Sequence, residues 1–224
     1  MNSAIIVAAG SGTRFGAEKP KQFLEIHGKP IIIHTLERFE NCPAVDEIIL
    51  VLANDEIESF QTDVKKYNLK KLSQIVTGGK SRAESVFSGL KAVNAETEIV
   101  AVHDGARPLV SSAEIAATIE KARETGAACL VAKVTDTIKE VAGEKIICTI
   151  DRANLRRALT PQAFRYKILK QAFNKNHFNE TATDECFLVE KLGYEIAIVE
   201  GNARNIKITT REDFAIAEVF LKQS

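Results

Sequence analysis

The sequence predicts an α/β domain, a Rossmann-like, mostly parallel sheet with helices on both faces. Three observations carry that expectation. Short β-rich runs alternate with helical patterns along most of the chain, the signature of strands crossing over through helices. The first apolar run, Ala4 to Ala8, leads straight into the glycine-rich segment Ala9-Gly10-Ser11-Gly12-Thr13-Arg14. Finally, 224 residues suit one large domain or two small ones, and 45% hydrophobic content is normal for a globular core.

Each element has its own warrant. Strands are expected at Ala4 to Ala8, Glu47 to Ala53, Leu72 to Thr77, Ile99 to His103 and Cys129 to Val134. Pro30 opens a helix with Ile33, Leu36 and Phe39 on one face. Asn54 can cap the next, Ser81 to Val93 forms a third, and Ser111 with Glu114 makes a capping box for a fourth. The repeat then breaks. Thr135 to Ile150 reads as a hairpin around Ala142-Gly143-Glu144. Helices return near Phe164 to Asn174 and Ala182 to Leu192, followed by short strands at Glu195 to Glu200 and Asn205 to Ile208. Thr210 caps a last helix with Phe214, Ala217 and Leu221 on one face. With no repeat or Pro/Gly-rich linker, residues 1–224 read as a single domain with a projecting arm at about 135–152.

Thirty basic residues balance thirty acidic ones, so no global field favours nucleic acid or an anionic membrane. No apolar run reaches membrane-spanning length and no signal peptide is evident, so a soluble, cytoplasmic protein is expected. Cys42, Cys129, Cys148 and Cys186 are too scattered for a metal cluster or disulfide framework.

The glycine loop suits a polyphosphate. Gly10 and Gly12 let backbone N–H groups approach an anion, and Arg14 and Lys21 add full charges. It matches neither a P-loop, since Ala17 and Glu18 follow Gly16, nor a dinucleotide loop, since Phe15 replaces the third small residue. A plain glycine turn with a surface Arg and Lys is the alternative. Asp104, closing an apolar strand within His103-Asp104-Gly105-Ala106-Arg107-Pro108, can hold Mg²⁺, or can cap a turn and pair with Arg107. Gly78 and Gly79 before Ser81, Arg82 and Ser85 can admit a flat base, or can form an ordinary strand-to-helix turn. Lys207 is expected at the carboxyl end of its strand, where α/β sheets collect ligands. Asp184 reads as a helix-capping acid, and His103 as a core histidine or a support to the site. There is no Gly-x-Ser-x-Gly elbow and no His-Glu-x-x-His, so acyl transfer and zinc hydrolysis lack support.

The ordered set of motifs closely resembles the 2-C-methyl-D-erythritol 4-phosphate cytidylyltransferases over nearly the whole chain. It runs through Ala8 to Arg14, Pro20-Lys21-Gln22, Gly78-Gly79 with Arg82 and Ser85, and His103 to Pro108. It continues through Asp136-Thr137, Asp151-Arg152, Leu159 to Gln162, Thr183-Asp184-Glu185 and Asn205-Ile206-Lys207. Phe15, Lys80 and Gly105 depart from the usual methionine, acid and alanine. The resemblance implies a nucleotidyltransferase fold, CTP and a sugar-alcohol phosphate as substrates, Mg²⁺ or another divalent cation on Asp104, and a homodimer joined through the hairpin arm. It implies that Arg14, Lys21, Arg152 and Lys207 are catalytic. Ala9, Gly10, Gly12, Gly79, Arg82, Ser85 and Arg107 would bind nucleotide, while Thr137, Arg152, Thr160 and Lys207 would bind the acceptor, with Thr137 and Arg152 reaching a partner's site. Competing implications are a ribitol 5-phosphate cytidylyltransferase and a non-catalytic nucleotide-binding module.

Overall fold

The computed structural model of the chain describes residues 1–10, 20–175 and 184–222. Its seven-stranded sheet takes in β1 (Asn2–Val7), β4 (Glu47–Leu52), β5 (Leu72–Thr77), β6 (Ile99–Asp104), β7 (Ala127–Lys133), β10 (Arg156–Arg165) and β11 (Ala197–Glu200). Their order is β5-β4-β1-β6-β10-β7-β11. All neighbours run parallel except around β10, which is antiparallel to both β6 and β7. Strands β1, β4 and β6 are buried nearly throughout, as continuous apolar runs covered on both faces must be.

Chain order along the sheet reverses at β1, because β4 lies on one side and β6 on the other. Val7 and Asp104 are register partners at that reversal, so the segments leaving β1 and β6 flank one crevice. Helices α1 (Ile31–Glu40) and α4 (Ser112–Thr125) pack with Ala4, Ile6, Leu50 and Ala101 on one face. Helices α3 (Arg82–Ala92), α5 (Tyr166–Lys175) and α6 (Glu185–Glu190) pack with Ile5, Val51, Val100 and Phe164 on the other. A last helix, α7 (Arg211–Leu221), buries Ala217 beside Ile26, Ile31 and Ile208, with Phe214 and Leu221 against them. Among the described residues no helix is long and apolar enough to cross a membrane.

Several elements follow local rules. The capping box of Ser111 and Glu114 starts α4, Ser81 accepts from the Glu84 amide to start α3, and Thr210 with Asp213 starts α7. Other expectations need correction. Asn54 caps no helix: it opens a single 3₁₀ turn, α2 (Ile57–Asp63) begins beyond it, and its side chain accepts from Thr77 instead. Asn205 to Ile208 is not a strand; the Ile208 amide makes one bond to the Ala106 carbonyl, but no ladder forms. Phe164, expected in a helix, belongs to β10, and that strand was not foreseen. A small ribbon, β2 (Glu25–Ile26) with β3 (Lys29–Pro30), turns through His27 and Gly28 at positive φ.

The expected hairpin is present as β8 (Ile138–Ala142) and β9 (Lys145–Ile150), with Gly143 at φ +57 in its turn. It forms a separate two-stranded sheet, and Val141, Ile146 and Ile147 are each at least 60% exposed. At its base Lys133 of β7 pairs with Arg156 of β10, so residues 134–155 leave and rejoin the main sheet at the same rung.

Candidate active site

Beyond the carboxyl ends of β1 and β6 lies a cavity of about 360 Å³. Its lining includes Ala9, Gly10, Lys21, Gly79, Lys80, Arg82, Ser85, Asp104 and Lys207, so among the described residues Asp104 is the one carboxylate beside several cations. Gln22 holds the start of the glycine loop, donating from Nε2 to the Ala8 carbonyl at 2.8 Å and to the Gly10 carbonyl at 3.2 Å. Its burial beneath the loop was not foreseen; only its place in Pro20-Lys21-Gln22 signalled it. Gly78 is packed so tightly that a Cβ would sit 2.4 Å from Ala9 Cβ, so glycine lets the β5 end close on the loop. Ser85 accepts from the Gly79 amide and donates to the Ser81 carbonyl, which fixes the Gly78-Gly79 turn against α3.

Asp104 is 6% exposed and carries three cations. Arg82 Nε donates to Oδ1, while Arg107 Nε and Lys207 Nζ reach Oδ2, each at 3.1 Å. Burial alone would raise its pKa, but Arg82, Lys207 and Arg107 outweigh that and hold the carboxyl well below the usual carboxylate range. It is ionised throughout the physiological range.

The strand end is also braced through its backbone. His103 is fully buried and packs tilted against Phe39, with ring centroids 4.8 Å apart. Its Nε2 meets the Arg107 carbonyl at 3.1 Å, an acceptor only, so that nitrogen carries the hydrogen. Nδ1 is then an acceptor for the Thr160 hydroxyl at 2.9 Å, and Thr160 Oγ1 in turn accepts the Asp104 amide at 3.2 Å. Burial pushes His103 down to about 3, so the ring is neutral. Asn205 ties the last strut, donating from Nδ2 to the Thr160 carbonyl and accepting Arg107 Nη1 on its own carbonyl.

The expected site residues therefore divide. Ala9, Gly10, Lys21, Gly79, Arg82, Ser85, Asp104 and Lys207 meet at the cavity. Arg107, expected on the nucleotide, stands behind Asp104, gripping its carboxylate and the Asn205 carbonyl, and is not in the lining. Thr160 is also behind the lining, and its hydroxyl would have to give up His103 to reach an acceptor phosphate. Thr137 and Arg152 sit at the base of the arm, where Arg152 Nη1 donates to the Thr135 carbonyl; neither lines this cavity. Gly12 and Arg14 lie outside the described residues. Asp184 caps α6 itself, accepting from the Phe187 amide at 2.9 Å.

A divalent cation fits this donor set in one way. Among the described residues no three His, Cys, Asp or Glu side chains cluster as metal ligands. A single carboxylate supplemented by phosphate oxygens and water is a normal Mg²⁺ arrangement, and Asp104 offers that carboxylate once one of its cations yields an oxygen.

A cation-rich cavity at the reversal of an open α/β sheet, around one buried aspartate, suits a nucleotidyltransferase. The family model for 2-C-methyl-D-erythritol 4-phosphate cytidylyltransferase matches residues 2–223. The chain belongs to that family. It is 45% identical to the enzyme of that name from Bacillus licheniformis, over 99% of this chain and 96% of that protein. It is 43% identical to the one from Clostridium perfringens, over 98% of each. The crystal structure of 4-diphosphocytidyl-2C-methyl-D-erythritol synthase from Anaerococcus prevotii superposes with a TM-score of 0.85 at 32% identity, covering 99% of this chain and 98% of that one.

Proposed function

We infer that this enzyme transfers CMP from CTP to 2-C-methyl-D-erythritol 4-phosphate, releasing pyrophosphate, as a step in isoprenoid precursor synthesis. The observation that carries the reading is the cavity at the β1/β6 reversal, lined by Lys21, Lys80, Arg82 and Lys207 together with Asp104, in a chain of this family. An oxygen of the acceptor phosphate attacks the α-phosphorus, and the bond from that phosphorus to the departing pyrophosphate breaks. The attacking phosphate has a second pKa of about 6, so it is already anionic near neutral pH and needs no general base. This accords with a site whose histidine, His103, is buried and neutral.

Catalysis then rests on holding two polyanions in line and neutralising charge that moves onto the leaving group. Lys21 from the cavity wall and Arg14 from the glycine loop serve the triphosphate. Gly79, with Ser85 behind it, receives the cytidine, Arg82 contacts the nucleotide, and Lys207 takes the acceptor phosphate. Mg²⁺ held on Asp104 would neutralise phosphate charge. Thr160 and Arg107 contribute by holding Asp104. A homodimer completes the reading. The exposed Val141, Ile146 and Ile147 support an arm that packs on a second copy, since a two-stranded ribbon is marginal by itself in water. Arg152 and Thr137 would then serve the neighbour's acceptor site. The same reading puts the enzyme in the cytoplasm, where its four thiols, none in a disulfide, stay reduced.

The direct test is pyrophosphate release with CTP and either methylerythritol phosphate or ribitol 5-phosphate, with Mg²⁺ and in excess chelator. Turnover is expected with the first acceptor and Mg²⁺ only. Preference for ribitol 5-phosphate, or CTP binding without turnover on either acceptor, would replace this reading, and full turnover in chelator would remove the metal from Asp104.

A further inference from the structure

Arg82 has a wet end and a dry end. Its side chain is 27% exposed and lines the cavity, yet Nη1 donates to Glu185 Oε1 at 2.6 Å, and Glu185 is 1% exposed. The other Glu185 oxygen, Oε2, is buried with no hydrogen-bond partner among the described residues. An acid buried so deeply, with one oxygen unpartnered among the described residues, is costly unless its cation stays in place. Glu185 is itself held firmly. Gln162 of β10 donates from Nε2 to Asp184 at 2.8 Å and accepts the Cys186 amide on Oε1 at 3.1 Å, which pins the first turn of α6 on both sides of Glu185.

On the nucleotidyltransferase reading, Asp104 cannot keep all three of its cations when a metal ion or a polyphosphate enters. Arg82 Nε is one of the contacts at risk. We propose that Glu185 is a positioning residue, a second anchor that keeps the Arg82 guanidinium aimed into the nucleotide cavity while Asp104 exchanges partners. Burial raises the Glu185 pKa and the Arg82 charge opposes the rise; the short contact to Arg82 favours the ionised pair. Glu185 touches no substrate and acts only through Arg82.

The test is CTP affinity by calorimetry, with Mg²⁺ and without acceptor, on the full-length wild type, Glu185→Gln, Arg82→Ala and the double variant. Losing a charge-assisted hydrogen bond should weaken CTP about tenfold or more in Glu185→Gln, with a near-native melting temperature. The double variant should bind no more weakly than Arg82→Ala, because an anchor without its arginine has nothing to position. Rescue by Glu185→Asp should be partial, as the shorter acid keeps the charge but retreats from Nη1. Wild-type affinity in Glu185→Gln, or a loss that adds in full to that of Arg82→Ala, would overturn the proposal. If Arg82→Ala does not fold, Arg82→Gln takes its place in the cycle. Failure of the wild type to bind CTP would instead bring down the functional reading, and the anchor with it.

Discussion

The Asp104 cluster and the β8–β9 arm are built on opposite principles. Around Asp104 the described elements are tied to one another: β6 to β10 through Thr160, the Arg107 turn to the Asn205 segment, and α3 to α6 through Arg82 and Glu185. The arm pairs strand with strand in a sheet of its own and shows three large apolar side chains to water. The difference accords with the two tasks proposed for them. A site for in-line displacement needs its charges fixed before substrate arrives, whereas a surface meant for another molecule leaves its apolar groups unsatisfied until that molecule comes.

The largest effect should come from inside the cluster. Lys21→Ala and Asp104→Asn are each expected to lower kcat by about 10²–10³, the usual cost of losing one preorganised charge-stabilising group. Steady-state kinetics on folded variants checks this. An unchanged kcat with only a raised acceptor KM would mean that the cluster binds but does not catalyse.

A smaller effect is a pH-dependent loss of stability through His103. Its folded pKa is about 3 against 6.5 when unfolded, so the unfolded chain takes up a proton that the folded one refuses. The His103 contribution is therefore intact above about pH 6.5 and is lost as pH falls towards 3, by about 2 kcal/mol at pH 5 from linkage alone. Urea unfolding at pH 7.5 and pH 5 should show His103→Asn losing less than the wild type over that interval. Equal losses would mean the imidazole is not buried neutral.

The smallest effect on folding should be at the arm. Arg152→Ala is expected to shift the unfolding free energy by less than about 0.5 kcal/mol, as an exposed substitution does, while abolishing turnover. Mixing it with inactive Lys207→Ala and letting subunits exchange should restore about a quarter of the wild-type activity, since half the dimers are mixed and each has one intact site of two. No recovery despite verified mixed dimers, or a monomeric mass by light scattering, would leave the arm without this role.

Much of the parallel framework was legible because its signals are local: β4 and β5 nearly match the apolar runs, and Ser111 and Thr210 cap where their motifs fall. Strand β10 was not legible. Pro161 inside Arg156–Arg165 argues against a strand, yet the register shift between Ala158 and Gln162 leaves the proline where no ladder bond to β7 is required. Its partners, β6 and β7, are distant in sequence, so no local period could announce it. The cavity lining was legible as motifs, but which groups touch ligand and which stand behind was not. Arg107 follows the lining residue Ala106 in sequence, while Thr160 and Glu185 come from distant stretches, and all three turn inward for reasons that exist only once β10 is in place.

That insertion of residues 134–155 at one rung between Lys133 and Arg156 has a consequence for how such an enzyme can be altered. Removing the segment and closing the rung with a tight turn would reroute nothing in the main sheet, and grafting another family member's segment would ask nothing of it either. On the dimer reading, pairing preference can drift between lineages, or be redesigned at the bench, without disturbing a strand of the main sheet, provided that Thr137 and Arg152 are kept for the neighbour's acceptor site.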